Sequence, residues 1–112
     1  MSIQRRDADY LSDMIEASIR IANYTSRLDY DKFVSDEKTQ DAVIRNLQLI
    51  GEAARKVSTD MTRQQPLIPW KEIRGMRNIV VHEYFGLNID VVWTVVYVDL
   101  PELLPNLQAI KT

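Results

Sequence analysis

The sequence predicts an all-α protein, a single domain over residues 1–112 folded as an antiparallel up-and-down four-helix bundle with a kinked last helix. Apolar residues recur at spacings of three and four along two long segments, the periodicity of helices with one buried face. The chain has only 3 Gly and 4 Pro, too few turn residues for many short strands. Its 112 residues, 46% of them hydrophobic, suit one globular core.

The first helix is predicted from about Asp7 to Leu28, followed by a polar turn or short helix at residues 29–34. Its mostly apolar stripe consists of Leu11, Met14, Ile15, Ser18, Ile21, Ala22, Thr25 and Leu28. Because these positions share one side of a helix, they are the predicted contact with the rest of the bundle.

The second long helix is predicted to begin near Ser35 or Asp36, since either side chain is a good N-cap. Its stripe consists of Val43, Ile44, Leu47, Ile50, Ala53, Ala54 and Val57. Gly51 lies inside this helix, where glycine costs about 1 kcal/mol relative to alanine. The glycine therefore indicates the close approach of another backbone.

Residues 59–68 are predicted as the longest loop, and Pro69 suits the first turn of a third helix that runs from Trp70 to about Phe85. Gly86 is placed to end that helix, and Asn88 can cap the next one.

The segment from Val91 to Val98 is β-branched and aromatic, which favours a strand by propensity alone. We predict a helix, because the chain offers no second run that could pair with a strand. Pro101 and Pro105 are expected to bend or break this last helix.

Composition excludes several classes of protein. No cysteine is present and histidine occurs once, so we expect neither a disulfide scaffold nor a metal or cofactor site. No apolar run approaches the roughly 20 residues of a membrane span, and the N-terminal residues do not resemble a signal peptide. A cytoplasmic protein without membrane contact is the expectation.

The net charge of −2 conceals a basic middle segment. Residues 55–77 hold six Lys or Arg against two Asp or Glu, whereas the segments before and after them are each net negative. Such a segment can present a local positive patch to phosphate groups, although a solvated helix face explains the same charges.

The third helix carries the candidate chemistry. Arg74, Asn78 and His82 follow one another at intervals of four residues, while Arg77 and Tyr84 lie at the edge of the buried stripe. Imidazole moves protons near neutral pH, and guanidinium grips phosphate and stabilises developing negative charge. This combination suits the cleavage of a phosphodiester.

A single chain holds only one imidazole, whereas RNA cleavage generally needs one group to accept a proton and another to donate one. Arg77 and His82 also lie about 140° apart around the helix. Both difficulties ease in a homodimer whose twofold axis brings two copies of each side chain to one cleft.

Residues 77–84, RNIVVHEY, resemble the Arg-x-x-x-x-His-x-Tyr motif of HEPN-domain ribonucleases, including the Asn that follows the Arg. Further segments resemble the HepT-like toxin family: TQDAV at 39–43, Asn46-Leu47, IGEAA at 50–54 and Pro69-Trp70. The resemblance covers about residues 7–105 and implies a helical HEPN-like bundle that dimerises at the motif helices.

The resemblance further implies a toxin–antitoxin system whose toxin is a metal-independent endoribonuclease with an RNA substrate. Arg77 and His82 would be catalytic, and Asn78 would support them, as would Arg74 from its place on the same stripe. An MntA-like nucleotidyltransferase antitoxin would silence the toxin by AMPylation of Tyr84. The alternative is a non-catalytic helical dimer that docks a nucleotidyltransferase, which needs Tyr84 but not His82. A purely structural bundle is the third reading.

Overall fold

The computed structural model describes residues 6–82 and 89–111, and for residues 78–82 the helix backbone alone. Within these ranges every regular element is helical and no strand occurs, which confirms the all-α prediction. The helices are α1 (Asp7–Thr25), α2 (Tyr30–Val34), α3 (Glu37–Lys56), α4 (Thr59–Gln64), α5 (Trp70–His82), α6 (Ile89–Thr94) and α7 (Leu100–Gln108), with a π-helical turn at Val95–Asp99.

Helices α1 and α3 run antiparallel and share the largest part of the core. Ser58, just beyond α3, donates from its backbone N to Asp7 Oδ1 (2.8 Å) and from its hydroxyl to Oδ2 (2.6 Å), so α1 begins where α3 ends. The predicted stripe of α3 is buried throughout. The predicted stripe of α1 is wrong at one position: Ala22 is exposed, whereas Ala17, which the prediction did not include, is buried.

The start of α3 is fixed by Asp36, one of the two predicted caps. Its carboxylate accepts hydrogen bonds from the Thr39 backbone N (3.0 Å) and the Thr39 hydroxyl (2.7 Å). Both bonds favour the charged form, the hydroxyl bond most, and they hold the pKa of Asp36 below its usual value.

Helix α1 ends at Thr25, three residues earlier than predicted, and Tyr97 contacts carbonyls at this end of the helix and in the turn that follows it. The Tyr97 hydroxyl lies 2.6 Å from the Thr25 carbonyl oxygen and 2.9 Å from that of Leu28. The ring also stacks against Trp93, with ring centroids 3.7 Å apart. The last helical segment is thereby joined to the end of α1 that lies farthest from Asp7.

The β-branched segment at 91–98 is helical, as predicted, but not uniformly α-helical. Leu100 N donates to the Val95 carbonyl five residues back, the bonding of a π-helical turn. Pro101 lacks an N–H and its ring would clash with the carbonyl of Tyr97 in a regular α-helix, so the turn widens immediately before it. Pro105 is accommodated inside α7, which continues to Gln108.

The prediction of a loop throughout 59–68 is wrong, because residues 59–64 form α4. The Ser58 hydroxyl accepts from Met61 N at 3.1 Å and caps this helix. None of its residues is buried, so it carries no apolar stripe that would reveal a helix.

Helix α5 packs antiparallel to α3, and Gly51 permits their contact. A Cβ atom built on Gly51 would lie 2.8 Å from Arg77 N and 3.3 Å from the Ile73 carbonyl oxygen, which confirms the predicted close approach. The Pro69 carbonyl accepts the first helical bond, from Ile73 N at 3.0 Å. The predicted helix end at residues 85–86 and the cap at Asn88 lie outside the described residues.

We expect Gly51→Ala to lower the free energy of unfolding by about 1–3 kcal/mol, because the added methyl group would force two backbones apart. The matched control is Gly75→Ala on α5, where an added Cβ meets nothing within 4 Å. Removing a helix-interior glycine there should raise stability by about 0.5–1 kcal/mol. Urea denaturation of both variants measures the difference, and equal effects would contradict the close-packing argument.

Candidate active site

Helix α5 brings Arg77 against the C-terminal part of α3, at Gly51 and Glu52. The Arg77 backbone N is the nearest atom to the Cβ that Gly51 lacks, so the two helices are in close contact at this arginine. Where the backbones of two helices are this close, the side chains that project from the contact have little conformational freedom. The position of Arg77 is therefore set by core packing rather than by a loop.

The Arg77 side chain is 41% exposed and pairs with Glu52, whose side chain is also 41% exposed. The distance from Arg77 Nε to Glu52 Oε1 is 3.8 Å, near the outer limit of an ion pair. An exposed pair of this length contributes at most about 1 kcal/mol. The guanidinium can therefore exchange this carboxylate for a phosphate without a large loss of stability.

A concavity of about 430 Å³ opens beside this pair, and its lining consists of Glu52, Arg55, Lys56 and Arg77. Three of the four side chains are cations, from the last turn of α3 and the middle of α5. Arg55 and Lys56 are exposed. The chain as a whole is acidic, but this surface carries a net positive charge and suits an anion.

Arg74, predicted to support the site, lies one turn before Arg77 and does not line the concavity. Its Nε donates to the Ala54 carbonyl oxygen at 3.5 Å, a long hydrogen bond. The side chain is half-buried and holds α5 to the last turns of α3. Its position thus favours a role in holding the two helices together.

The other predicted site residues are placed only in part. Asn78 and His82 are the second and sixth residues of the segment that begins at Arg77, and both belong to α5. Regular helix geometry puts His82 about 7.5 Å along the axis from Arg77 and about 140° around it. Their side chains and the whole of Tyr84 lie outside the described residues, so their roles stay predictions.

Sequence reasoning missed Glu52, Arg55 and Lys56 as parts of this site. The basic segment at 55–77 was visible, but helix periodicity cannot say which of its cations meet across two helices. Arg63 and Lys71 belong to the same segment and do not line the concavity. The signal that was available is Gly51, because the residues that flank a close helix contact are candidates for a shared site.

The described part of the chain contains no group of three or more His, Cys, Asp or Glu that could hold a metal ion. Within residues 6–82 and 89–111, no helix combines the length and apolarity that crossing a membrane requires.

Comparison with known proteins identifies the family. The family model described as ribonuclease HepT-like matches residues 14–110. The chain is 38% identical over 109 residues to a protein of Thermococcus cleftensis named probable ribonuclease HepT, covering 97% of this chain and 99% of that one. It is 33% identical over 107 residues to the mRNA nuclease HepT of Shewanella oneidensis, covering 74% and 80% of the two chains.

No solved structure matches the chain. The predicted resemblance is nevertheless confirmed by the family model and by relatives that span nearly the whole chain. The match indicates an enzyme of the ribonuclease class. The close contact at Arg77 and the cation-lined concavity beside it thus belong to a member of the HepT-like ribonuclease family.

Proposed function

We propose that this protein is the toxin of a toxin–antitoxin system, a metal-independent endoribonuclease that acts on cytoplasmic RNA as a homodimer. The observation that carries the proposal is the position of Arg77. In a chain of the HepT-like ribonuclease family, the arginine of the family motif lies half-exposed beside a concavity lined mainly by cations.

The proposed reaction is an internal transesterification. The ribose 2′-hydroxyl loses its proton to one imidazole and attacks the adjacent phosphorus, and the 5′-oxygen leaves with a proton from a second acid. Arg77 binds the phosphate and stabilises the charge that builds on its oxygens. The products are a 2′,3′-cyclic phosphate and a 5′-hydroxyl, and Asn78 orients the imidazole of His82.

The count of proton carriers supports the proposed homodimer. His82 is the only histidine of the chain, and His82 and Arg77 leave α5 about 140° apart. We propose a HEPN-like four-helix bundle that pairs about a twofold axis at α5, so that two imidazoles and two guanidiniums share one strand of RNA. One His82 then accepts the proton and the other donates it.

The proposed regulation is AMPylation of Tyr84 by a nucleotidyltransferase antitoxin. The Tyr84 hydroxyl attacks the α-phosphorus of ATP, a phosphodiester to AMP forms, and pyrophosphate leaves. Tyr84 is seven residues after Arg77 in the sequence, and we propose that the new phosphodiester anion occupies the guanidinium in place of substrate. This step rests on the family resemblance together with the spacing of the motif.

Cleavage by the purified wild type should continue in EDTA and produce fragments with 2′,3′-cyclic phosphate ends. His82→Ala and Arg77→Ala should each reduce kcat by at least about 100-fold, the usual loss when an acid–base or charge-stabilising group is removed. Cellular RNA is the substrate, and end-group analysis of the fragments is the measurement. Unchanged toxicity of both variants would favour the non-catalytic docking module instead, and full cleavage by both would place the catalytic groups elsewhere.

Tyr84→Phe should retain RNA cleavage and escape silencing, because the phenol oxygen is the proposed acceptor of AMP. The variant and the wild type are incubated with the antitoxin and ATP, and the mass increase of one AMP is measured beside residual cleavage. A Tyr84→Phe protein that the antitoxin still modifies and silences would show that the acceptor lies elsewhere.

Glu52→Gln should strengthen the binding of RNA, because the substitution removes the carboxylate that lies 3.8 Å from Arg77. The dissociation constant for a non-cleavable 2′-O-methyl RNA should fall by about threefold, roughly the strength of an exposed ion pair. Stability should change little, as urea denaturation can verify. Weaker binding by Glu52→Gln would mean that Glu52 holds Arg77 in its productive position.

A further inference from the structure

We propose that Arg55 and Lys56 form a second phosphate subsite, which binds the phosphodiester next to the scissile one in the RNA strand. The inference rests on the proposed function and extends it from the cleaved bond to the neighbouring nucleotide. The physical basis is that one concavity joins these two cations to Arg77.

One guanidinium satisfies one phosphate, since a bidentate pair uses two of its N–H donors on two oxygens of the same group. The concavity holds two further cations beyond Arg77 and one carboxylate. Its volume of about 430 Å³ falls in the range of sites that hold a small organic ligand. The positive charge therefore exceeds what a single phosphate requires.

Arg55 and Lys56 are available for this contact. Both are exposed, and among the described residues neither forms an ion pair within 4 Å. The Lys56 ammonium lies 5.9 Å from the centre of the Tyr10 ring of α1, close enough for a weak cation–π attraction. Tyr10 lines the neighbouring concavity on the α1 side, so Lys56 lies at the boundary between the two concavities and lines both.

The helix dipole alone favours cations in the last turn of α3 and accounts for Arg55 and Lys56 taken separately. It does not account for their meeting Arg77, which belongs to the middle of a different helix. The neighbouring concavity on the α1 side, about 370 Å³, is lined by three carboxylates and two cations and so carries a net negative charge: Asp13, Glu16, Glu52, Arg20 and Lys56. An RNA strand that leaves Arg77 is therefore attracted along the end of α3 and not across α1.

The test compares two double variants that remove equal charge. Arg55→Gln/Lys56→Gln removes the subsite, while Lys32→Gln/Lys38→Gln removes two exposed cations near the other end of α3. Lys38 and Lys56 are 18 residues apart on one helix, so the control lies about 27 Å along the axis. Glutamine is a good helix former, so both variants should fold.

Binding of a 2′-O-methyl RNA octamer is measured as a function of salt concentration. The subsite variant should bind about tenfold more weakly than the wild type, and its salt slope should fall by about 0.7, the value for one phosphate contact on a single strand. The control variant should bind within about twofold of the wild type, with an unchanged slope. Equal losses in both variants would overturn the subsite, because they would report net charge alone.

Substrate length supplies a second readout. An RNA dinucleotide offers only the scissile phosphate, whereas an octamer also offers the flanking one. The ratio of kcat/KM for the octamer to that for the dinucleotide should therefore fall about tenfold in the subsite variant. If the wild type and the variant both cleave RNA and this ratio is the same in the two proteins, the subsite is refuted but the proposed function is not. A wild type that neither binds nor cleaves RNA refutes the proposed function, and the subsite with it.

Discussion

The contact between α3 and α5 at Gly51 is the constraint on which the rest of the site depends. A glycine at this position lets the Arg77 backbone approach to a distance that a Cβ atom would forbid. Glycine inside a helix costs about 1 kcal/mol relative to alanine. Next to this contact, Ile50, Ala54 and Ile73 are buried, and burial of apolar side chains stabilises the fold. The same contact fixes the position of the Arg77 backbone, from which the side chain projects. The packing that stabilises the two helices therefore also positions the candidate catalytic arginine.

The fold also resolves the contrast between an acidic chain and an anionic substrate. Only two of the chain's helices need to supply positive charge, since Arg55, Lys56 and Arg77 meet at one concavity. The excess of acidic residues lies in the segments before and after the basic one, and away from a cleft such charge limits non-specific contacts with nucleic acid. The net charge of a chain is thus a poor guide to its binding partner when the fold brings charges of one sign together on one part of the surface.

Periodicity predicted the long helices and most of their buried faces, because an amphipathic stripe of several turns leaves few alternatives. Short elements were less predictable. Helix α4 has no buried residue, and its start depends on Ser58, which also bonds to Asp7 51 residues earlier in the chain. The π-helical turn before Pro101 is likewise a compromise between a backbone clash and the packing of its neighbours, which no local pattern reveals.

The site was predictable along one helix but not across two. The spacing of Arg77 and His82 along the chain follows from the sequence, whereas the pairing of Arg77 with Glu52 requires the register of α3 against α5. In the proposed function, that register gives Glu52 two effects that weaken the binding of a substrate phosphate. Its carboxylate repels the phosphate directly, and in the free protein it pairs with the guanidinium to which the phosphate would bind. At 3.8 Å and 41% exposure the attraction between carboxylate and guanidinium is weak, so a phosphate that approaches with two oxygens can displace Glu52 from Arg77. In the proposed function, the carboxylate is therefore a weak competitor that the phosphate displaces from Arg77.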